Sequence, residues 1–181
     1  YLNQKIEEHG YDDLYGFLEP QSIQESGNKK EEAINYINDR IKNSQKQIYL
    51  APYVDQNHWQ LLVLCPMSNV VVWFCSLHHK PPIHVKHLVK SVMAVYNVMS
   101  GISTALSKNL EWIYPMSYKQ QGHYECGYYV MNWMSEIIEG GVTNGWSELF
   151  EDATPLGETK LEDIRIHWGN LFLEKFRNRS C

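Results

Sequence analysis

The sequence predicts an α+β fold in which a small central β-sheet is flanked by helices. Three β-rich runs follow one another between residues 48 and 74. Apolar residues recur at helical spacing on both sides of that block. A further run that begins at Cys126 is apolar almost all round, which is typical of a buried central helix.

Size and composition narrow the class of protein. The chain has 181 residues, of which 44% are hydrophobic and 13% aromatic, and this suits one packed domain over residues 1–181. The net charge of -5 argues against a protein that binds nucleic acid, which would usually present a basic face. The apolar runs are short, so we expect no membrane-spanning segment. Four cysteines without a CxxC pair predict reduced thiols and an intracellular protein.

The first elements in chain order are one helix and three strands. The helix is predicted from apolar residues at helical spacing, namely Ala33, Ile34, Ile37 and Ile41. The strands are predicted over residues 48–54, 59–64 and 70–74, separated by short polar turns. We expect these strands to be neighbours in the sheet and at least partly buried.

Three helices and a short strand are predicted in the second half. After Pro81-Pro82, one helical face carries Val85, Leu88, Val89, Val92, Val95 and Tyr96. A short strand is predicted over residues 110–114. The next helix runs from Cys126 to Ile138 and ends at Gly140-Gly141. In the last helix, Thr159 and Glu162 have the spacing of a capping box, and the predicted apolar stripe is Ile164, Trp168, Leu171, Phe172 and Phe176.

Cys126 is the residue with the strongest chemical interpretation. The commoner role of such a cysteine is a buried thiol that fills a helix. Its predicted place at a helix N-terminus favours another role, because free N–H groups and the positive end of the helix dipole stabilise a thiolate. Gly127 follows directly, and its missing side chain leaves room for a substrate backbone.

Two polar residues complete a candidate acyl-transfer site. His58 opens a predicted strand, which can hold an imidazole as rigidly as a general base requires. Gln120 lies six residues before Cys126, where its amide can join the backbone N–H of Cys126 in an oxyanion hole. Taken singly, His58 has an alternative as a structural histidine and Gln120 as a turn residue. Together the three residues predict a cysteine peptidase.

A metal site is the main competing interpretation. The run after the third strand contains five residues of the types that bind zinc, namely Cys75, His78, His79, His84 and His87. Their spacing fits no familiar zinc finger, and Pro81-Pro82 divides them. We favour a solvated loop here and expect neither a metal nor another cofactor.

Three segments resemble the Ulp1/sentrin-protease family of ubiquitin-like-protein-specific cysteine peptidases, clan-mates of adenoviral proteinase. They are His58-Trp59, residues 73–77 and residues 120–130, and their form is most similar to the plant, transposon-associated branch. The resemblance covers about residues 49–178, which implies a single domain truncated at its N-terminus. It also implies the adenain/Ulp1-like fold, with the nucleophile at the N-terminus of the buried central helix.

The resemblance implies a role for each candidate residue. Cys126 is the nucleophile, His58 the general base and Gln120 the oxyanion donor, with Gln121 as its rival. Trp59 forms a wall of the narrow tunnel that admits the Gly-Gly tail of a ubiquitin-like modifier. The implied reaction is cleavage after that tail, in a precursor or in a conjugate. A SUMO-like partner, a monomeric enzyme and a nuclear location follow from the same resemblance.

One position departs from the family pattern. Cys75 stands where the family has the Asp that orients the histidine and stabilises its protonated form. A thiol is a poor hydrogen-bond acceptor. Asp55 is an alternative orienting group, because it precedes His58 by three residues. The departure favours one alternative to an ordinary peptidase, a catalytically impaired module that still binds a modifier. The resemblance allows another, a hydrolase or acyltransferase of the same geometry with a different substrate, because some family relatives act on other acyl or peptide bonds.

Overall fold

The computed structural model describes residues 1–24, 29–101 and 109–177. It contains a five-stranded sheet in the order β1-β2-β3-β4-β5. The strands are β1 (Tyr15–Phe17), β2 (Ile48–Asp55), β3 (His58–Cys65), β4 (Val70–Phe74) and β5 (Glu111–Ile113). The central three are antiparallel, whereas β1 joins β2 and β5 joins β4 in parallel. The predicted α+β fold is confirmed.

The helices lie on both faces of the sheet. They are α1 (Leu2–Glu8), α2 (Pro20–Ile23), α3 (Lys30–Ser44), α4 (Ile83–Met99), α5 (Cys126–Glu139), α6 (Trp146–Leu149) and α7 (Glu158–Arg177), and a 3₁₀ turn spans Pro66–Ser68. None of these described helices combines the length and the hydropathy needed to cross a bilayer.

The sheet separates two apolar layers because its side chains alternate between faces. On one face, Leu61, Val63, Val72 and Phe74 pack against α5 through Tyr129, Trp133 and Ile137. On the other face, Leu62, Leu64, Val71 and Trp73 pack against α3 and α4 through Ile37, Val89 and Val92. Since both faces are covered, β3 and β4 appear in the sequence as continuous apolar runs.

The turn between β2 and β3 sets the position of His58. Gln56 and Asn57 form this two-residue turn, with φ values of 47° and 63°. Left-handed conformations at both central residues define a type I′ turn, whose twist matches that of an antiparallel pair. Asp55 and His58 are therefore opposite each other in the sheet register.

The last helix differs from its prediction. It begins at Glu158, so Thr159 lies inside it and the predicted capping box at Thr159 is wrong. Only part of the predicted stripe is buried, because Ile164 is 9% exposed whereas Phe172 is 63% exposed. The side chain of Phe176 lies outside the described residues. Helical spacing identifies side chains that share a face, but not how far a neighbouring element extends to cover them.

Val95 in α4 is a smaller correction of the same kind. It was predicted on the apolar face of that helix and is 39% exposed. The buried residues of α4 are Val85, Leu88, Val89, Val92 and Met93. Val95 therefore lies outside the buried stripe of α4.

Candidate active site

Three segments meet where α5 begins. Helix α5 packs against β3. A Cβ atom on Gly127 would lie 3.8 Å from Cδ1 of Trp59, an ordinary van der Waals distance. The first turn of α5, which carries Cys126, therefore lies beside the start of β3, which carries His58 and Trp59. The residue that follows Cys126 thus lies beside the Trp59 ring, with room for no more than a Cβ atom between them.

His58 is half-buried, and its ring contacts Cys75. Its Nε2 atom lies 3.3 Å from Sγ of Cys75. Burial lowers the pKa of His58, and the neighbouring His79 acts in the same direction. A lowered pKa keeps the ring neutral at pH 7, which is the state that a general base needs. The structure therefore places Cys75 against His58, at the position that the resemblance gives to the acid.

Asp55 is the alternative to Cys75 as the group that orients His58. It lies opposite His58 in the register. Within residues 1–24, 29–101 and 109–177, however, no ion pair joins Asp55 to His58. The pKa of His58 agrees with this, because a nearby carboxylate would raise it and the observed direction is down.

The pKa of the Cys75 thiol reflects burial on one side and neighbouring polar groups on the other. Burial raises the pKa of the Cys75 thiol, so the thiol is protonated at pH 7. The backbone N–H groups of Leu77 and His79 and the side chain of Gln60 oppose that rise, because they donate to the sulfur. Donors in this arrangement would also stabilise a carboxylate.

Cys126 is the first residue of α5 and is 5% exposed. Hydrogen bonds to the carbonyl of Glu125 satisfy the backbone N–H groups of Tyr128 and Tyr129. In the described part of the chain, no group accepts a hydrogen bond from the N–H of Cys126, and no side chain caps α5. The helix N-terminus therefore keeps a free donor at the cysteine.

Gln120 is held by hydrogen bonds on three sides. It is 7% exposed, and its Oε1 atom accepts a hydrogen bond from the hydroxyl of Ser76. Its Nε2 atom donates to the carbonyl of Gly122 at 2.8 Å, and its backbone N–H donates to the carbonyl of Ser76 at 2.9 Å. The rival donor, Gln121, is exposed. Burial and fixed orientation favour Gln120 over Gln121 as a site residue.

Two of the four histidines in the competing metal interpretation have other side-chain partners. Nε2 of His84 lies 2.8 Å from the hydroxyl of Tyr53, and Nε2 of His78 lies 2.7 Å from the carbonyl of Ser117. Among the residues that the structure describes, no group of three or more His, Cys, Asp or Glu side chains is arranged to hold a metal ion.

Two residues near the site were not identified from the sequence. Ser76 contacts Gln120, and Gln60 donates to Cys75. Gln60 did carry a signal, because it is a polar residue in an apolar strand and shares a face with His58 two positions earlier. Ser76 carried none, since its partner lies 44 residues away in the chain.

Comparison with known proteins identifies the family. The model of the Ulp1 protease family, C-terminal catalytic domain, matches residues 17–179. This match starts upstream of Tyr49, where the resemblance seen in the sequence begins. No curated protein sequence matches the chain significantly.

Solved structures show the same fold at low sequence identity. The Ulp1-like SUMO protease catalytic domain of Chaetomium thermophilum has a TM-score of 0.60 and 12% identity, over 92% of this chain and 65% of that domain. The yeast Ulp1 protease domain in complex with Smt3, the yeast ortholog of SUMO, gives 0.55 and 14%, over 77% of this chain and 62% of that one.

A bacterial structure is similar over most of its own length. The Xanthomonas campestris effector protein XopD, bound to ubiquitin, has a TM-score of 0.54 and 15% identity, over 91% of this chain and 87% of that one.

The chain spans less than two thirds of the length of the Chaetomium and yeast domains. Because the family match covers most of its residues, the chain belongs to the Ulp1 protease family, in the part that forms the C-terminal catalytic domain.

Proposed function

We propose that this domain is a cysteine peptidase that cleaves after the C-terminal Gly-Gly of a SUMO-like modifier, in a precursor or in a conjugate. The observation that carries the proposal is the contact between the first turn of α5 and the start of β3, at Gly127 and Trp59. It brings the helix turn that carries Cys126 beside the start of the strand that carries His58, and we propose that the two residues share one site. The family match and the neighbours described as SUMO proteases support the substrate class.

The proposed reaction starts with proton transfer from the thiol of Cys126 to His58. The thiolate attacks the carbonyl carbon of the terminal glycine and forms a carbon–sulfur bond. An N–H of Gln120 and the backbone N–H of Cys126 stabilise the oxyanion. The amine leaves with the proton from His58, and water then hydrolyses the thioester to a carboxylate and a free thiol. No cofactor takes part in these steps.

The ring nitrogens of His58 have separate roles in this scheme. Nε2 faces Cys75, so Nδ1 is the nitrogen that takes the proton from Cys126. Nδ1 is basic only when the ring proton is on Nε2. A carboxylate would enforce that tautomer because it only accepts hydrogen bonds. The Cys75 thiol can donate as well as accept, so it selects the tautomer weakly, and we propose that it slows turnover.

The space beside the nucleophile suits the proposed substrate. Gly127 has no side chain, and the ring of Trp59 lies beside it. We propose that the Trp59 ring forms one wall of a narrow passage to Cys126, which favours a tail of two glycines because a substrate Cβ atom would need additional room. The impaired binding module that Cys75 suggests is not favoured by the family match, which is to a catalytic domain.

Assembly and location are part of the same proposal. We propose one structural domain that acts as a monomer inside the cell, in the nucleus. Cys65, Cys75 and Cys126 are free thiols, as expected in a reducing compartment. Light scattering on the purified domain tests the monomer, and imaging of the full-length protein with a fluorescent tag tests the location.

Labelling with a SUMO probe tests the proposed function. The domain is incubated with SUMO that carries a C-terminal vinyl sulfone, and the adduct is located by mass spectrometry. We expect one adduct, at Cys126, and none in the variant Cys126→Ala. Cys65 is an internal control, because burial raises the pKa of its thiol to about 12 and makes it unreactive. An unlabelled domain, under conditions that label an active family member completely, would contradict the proposal.

A further inference from the structure

We propose that Ser76 is a positioning residue that fixes the side-chain amide of Gln120, so that one N–H of that amide points toward the oxyanion. The inference rests on the proposed function, because it concerns the oxyanion hole of that reaction. Ser76 is 0% exposed and directly follows Cys75. Ser76 is therefore bonded to Cys75, whose sulfur contacts His58, and it forms a hydrogen bond with Gln120, the proposed oxyanion donor.

Ser76 contacts Gln120 through both its side chain and its backbone. The Ser76 hydroxyl donates to Oε1 of Gln120. The Ser76 carbonyl accepts the backbone N–H of Gln120 at 2.9 Å. The backbone hydrogen bond fixes the position of the Gln120 main chain, and the hydroxyl fixes the end of the Gln120 side chain. Together they determine which way the amide faces.

The Gly122 carbonyl favours the same orientation of the amide. It accepts a hydrogen bond from Nε2 of Gln120 at 2.8 Å. If the amide were flipped, Oε1 would face the Gly122 oxygen, and two acceptors would oppose each other. An amide nitrogen has two N–H groups, and Gly122 uses one. The second N–H is then available for the oxyanion.

Removal of the Ser76 hydroxyl would leave the side-chain amide of Gln120 free to rotate. Oε1 of Gln120 would be left without a donor in a side chain that is 7% exposed. A buried acceptor without a partner is unfavourable, so the amide would rotate toward any other donor. The N–H would then lose its aim at the oxyanion, although Gln120 itself would still be present.

Steady-state kinetics test the proposal on SUMO that carries 7-amino-4-methylcoumarin at its C-terminal glycine. Complete loss of an oxyanion donor costs about 10²–10³ in kcat, so we expect misorientation in Ser76→Ala to cost about tenfold. KM should not change, because the oxyanion exists only after attack. Ser117→Ala is the matched control: Ser117 is a serine with 1% exposure whose hydroxyl has no partner among the described residues. We expect the control to keep full activity.

A double-mutant cycle separates positioning from general stability. If Ser76 acts through Gln120, Ser76→Ala should cost nothing further in a Gln120→Ala background. Alkylation of Cys126 by iodoacetamide provides a second readout, because that reaction forms no oxyanion. Its rate should be the same in the parent domain and in Ser76→Ala. A merely structural role would lower activity in both backgrounds and would change the alkylation rate.

The outcomes distinguish this inference from the proposed function. A parent domain that does not hydrolyse the SUMO conjugate overturns both. An active parent with an unchanged Ser76→Ala, or with equal losses in both backgrounds, overturns this inference alone. Thermal unfolding establishes that each variant is folded. If Ser76→Ala shows no cooperative transition, Ser76→Cys replaces it, and its weaker donor should lower kcat in the same direction.

Discussion

The two sides of the candidate site differ in how firmly hydrogen bonds hold their key side chains. On the oxyanion side, Gln120 has hydrogen bonds to Ser76 and Gly122 that fix its backbone and both ends of its amide. On the base side, the described contact of the His58 ring is a neutral thiol, Cys75, at 3.3 Å. Electrostatic stabilisation of an oxyanion is usually the largest single contribution to such catalysis. With the roles proposed above, the comparison predicts a site with a firmly held oxyanion donor and a weakly oriented base.

The largest expected effect comes from placing a carboxylate beside His58. Cys75→Asp places a carboxylate among donors that are already present, the N–H groups of Leu77 and His79 and the amide of Gln60. The acid of a catalytic triad is worth about 3 × 10⁴ in kcat, so we expect a gain of about 10³–10⁴. Hydrolysis of the coumarin conjugate measures it. Cys75→Ser, which adds no charge, is the control and should change kcat less than about threefold. An unchanged Cys75→Asp would show that the base is not the limiting component.

Removal of the proposed oxyanion donor should have the next largest effect. Gln120→Ala removes a fixed donor and should lower kcat by about 10²–10³, with little change in KM. The matched control is Gln121→Ala, since Gln121 is the exposed neighbour. The same kinetic assay compares the two variants. A larger loss in Gln121→Ala would reverse the assignment of the donor.

Removal of the base should cost less here than in an intact triad. In subtilisin, loss of the histidine costs about 2 × 10⁶ and loss of the acid about 3 × 10⁴, so without an acid the histidine is worth about 10². We therefore expect His58→Ala to lower kcat about 10²-fold. Asp55→Asn is the control and should be active, because Asp55 forms no ion pair with His58 in the described chain. A loss near 10⁶ in His58→Ala would mean that Cys75 already supports the base fully.

The smallest effect is a shift in pH dependence. His58 must be neutral to act as a base, and kcat/KM falls as the pH drops through the pKa of that group in the free enzyme. Burial lowers this pKa, so the acid limb of the parent profile should lie below about pH 6.5. A carboxylate in Cys75→Asp stabilises the imidazolium and should move the limb upward by about one unit. A pH series of kcat/KM measures both, and identical limbs would mean that residue 75 does not contact His58 in solution.

The sequence predicted the parts of the fold that depend on local pattern. The central strands and α5 were predicted within one or two residues, because continuous apolar runs bounded by turns have few alternatives. The first residue of α7 and the exposure of Phe172 and Val95 were not predicted correctly. The exposure of a side chain depends on how far neighbouring elements extend, and a one-dimensional pattern contains no such information.

The candidate site divides in the same way. Cys126 and Gln120 belong to one short segment, and His58 opens a strand, so motif and resemblance were enough to select them. The contacts of Ser76 with Gln120 and of Gln60 with Cys75 connect distant parts of the chain. Only folding brings these partners together. The catalytic roles of the selected residues are still predictions, which the variants above test.

The type I′ turn at Gln56-Asn57 decides which side chain is available for chemistry. Adjacent residues of a strand point to opposite faces, so a hairpin shifted by one position would exchange the sides occupied by His58 and Trp59. The imidazole would then occupy the place of the indole, and the thiol of Cys126 would have a hydrophobic ring in place of a proton acceptor. A deletion of one residue in this turn, which directly precedes His58, is therefore expected to abolish activity.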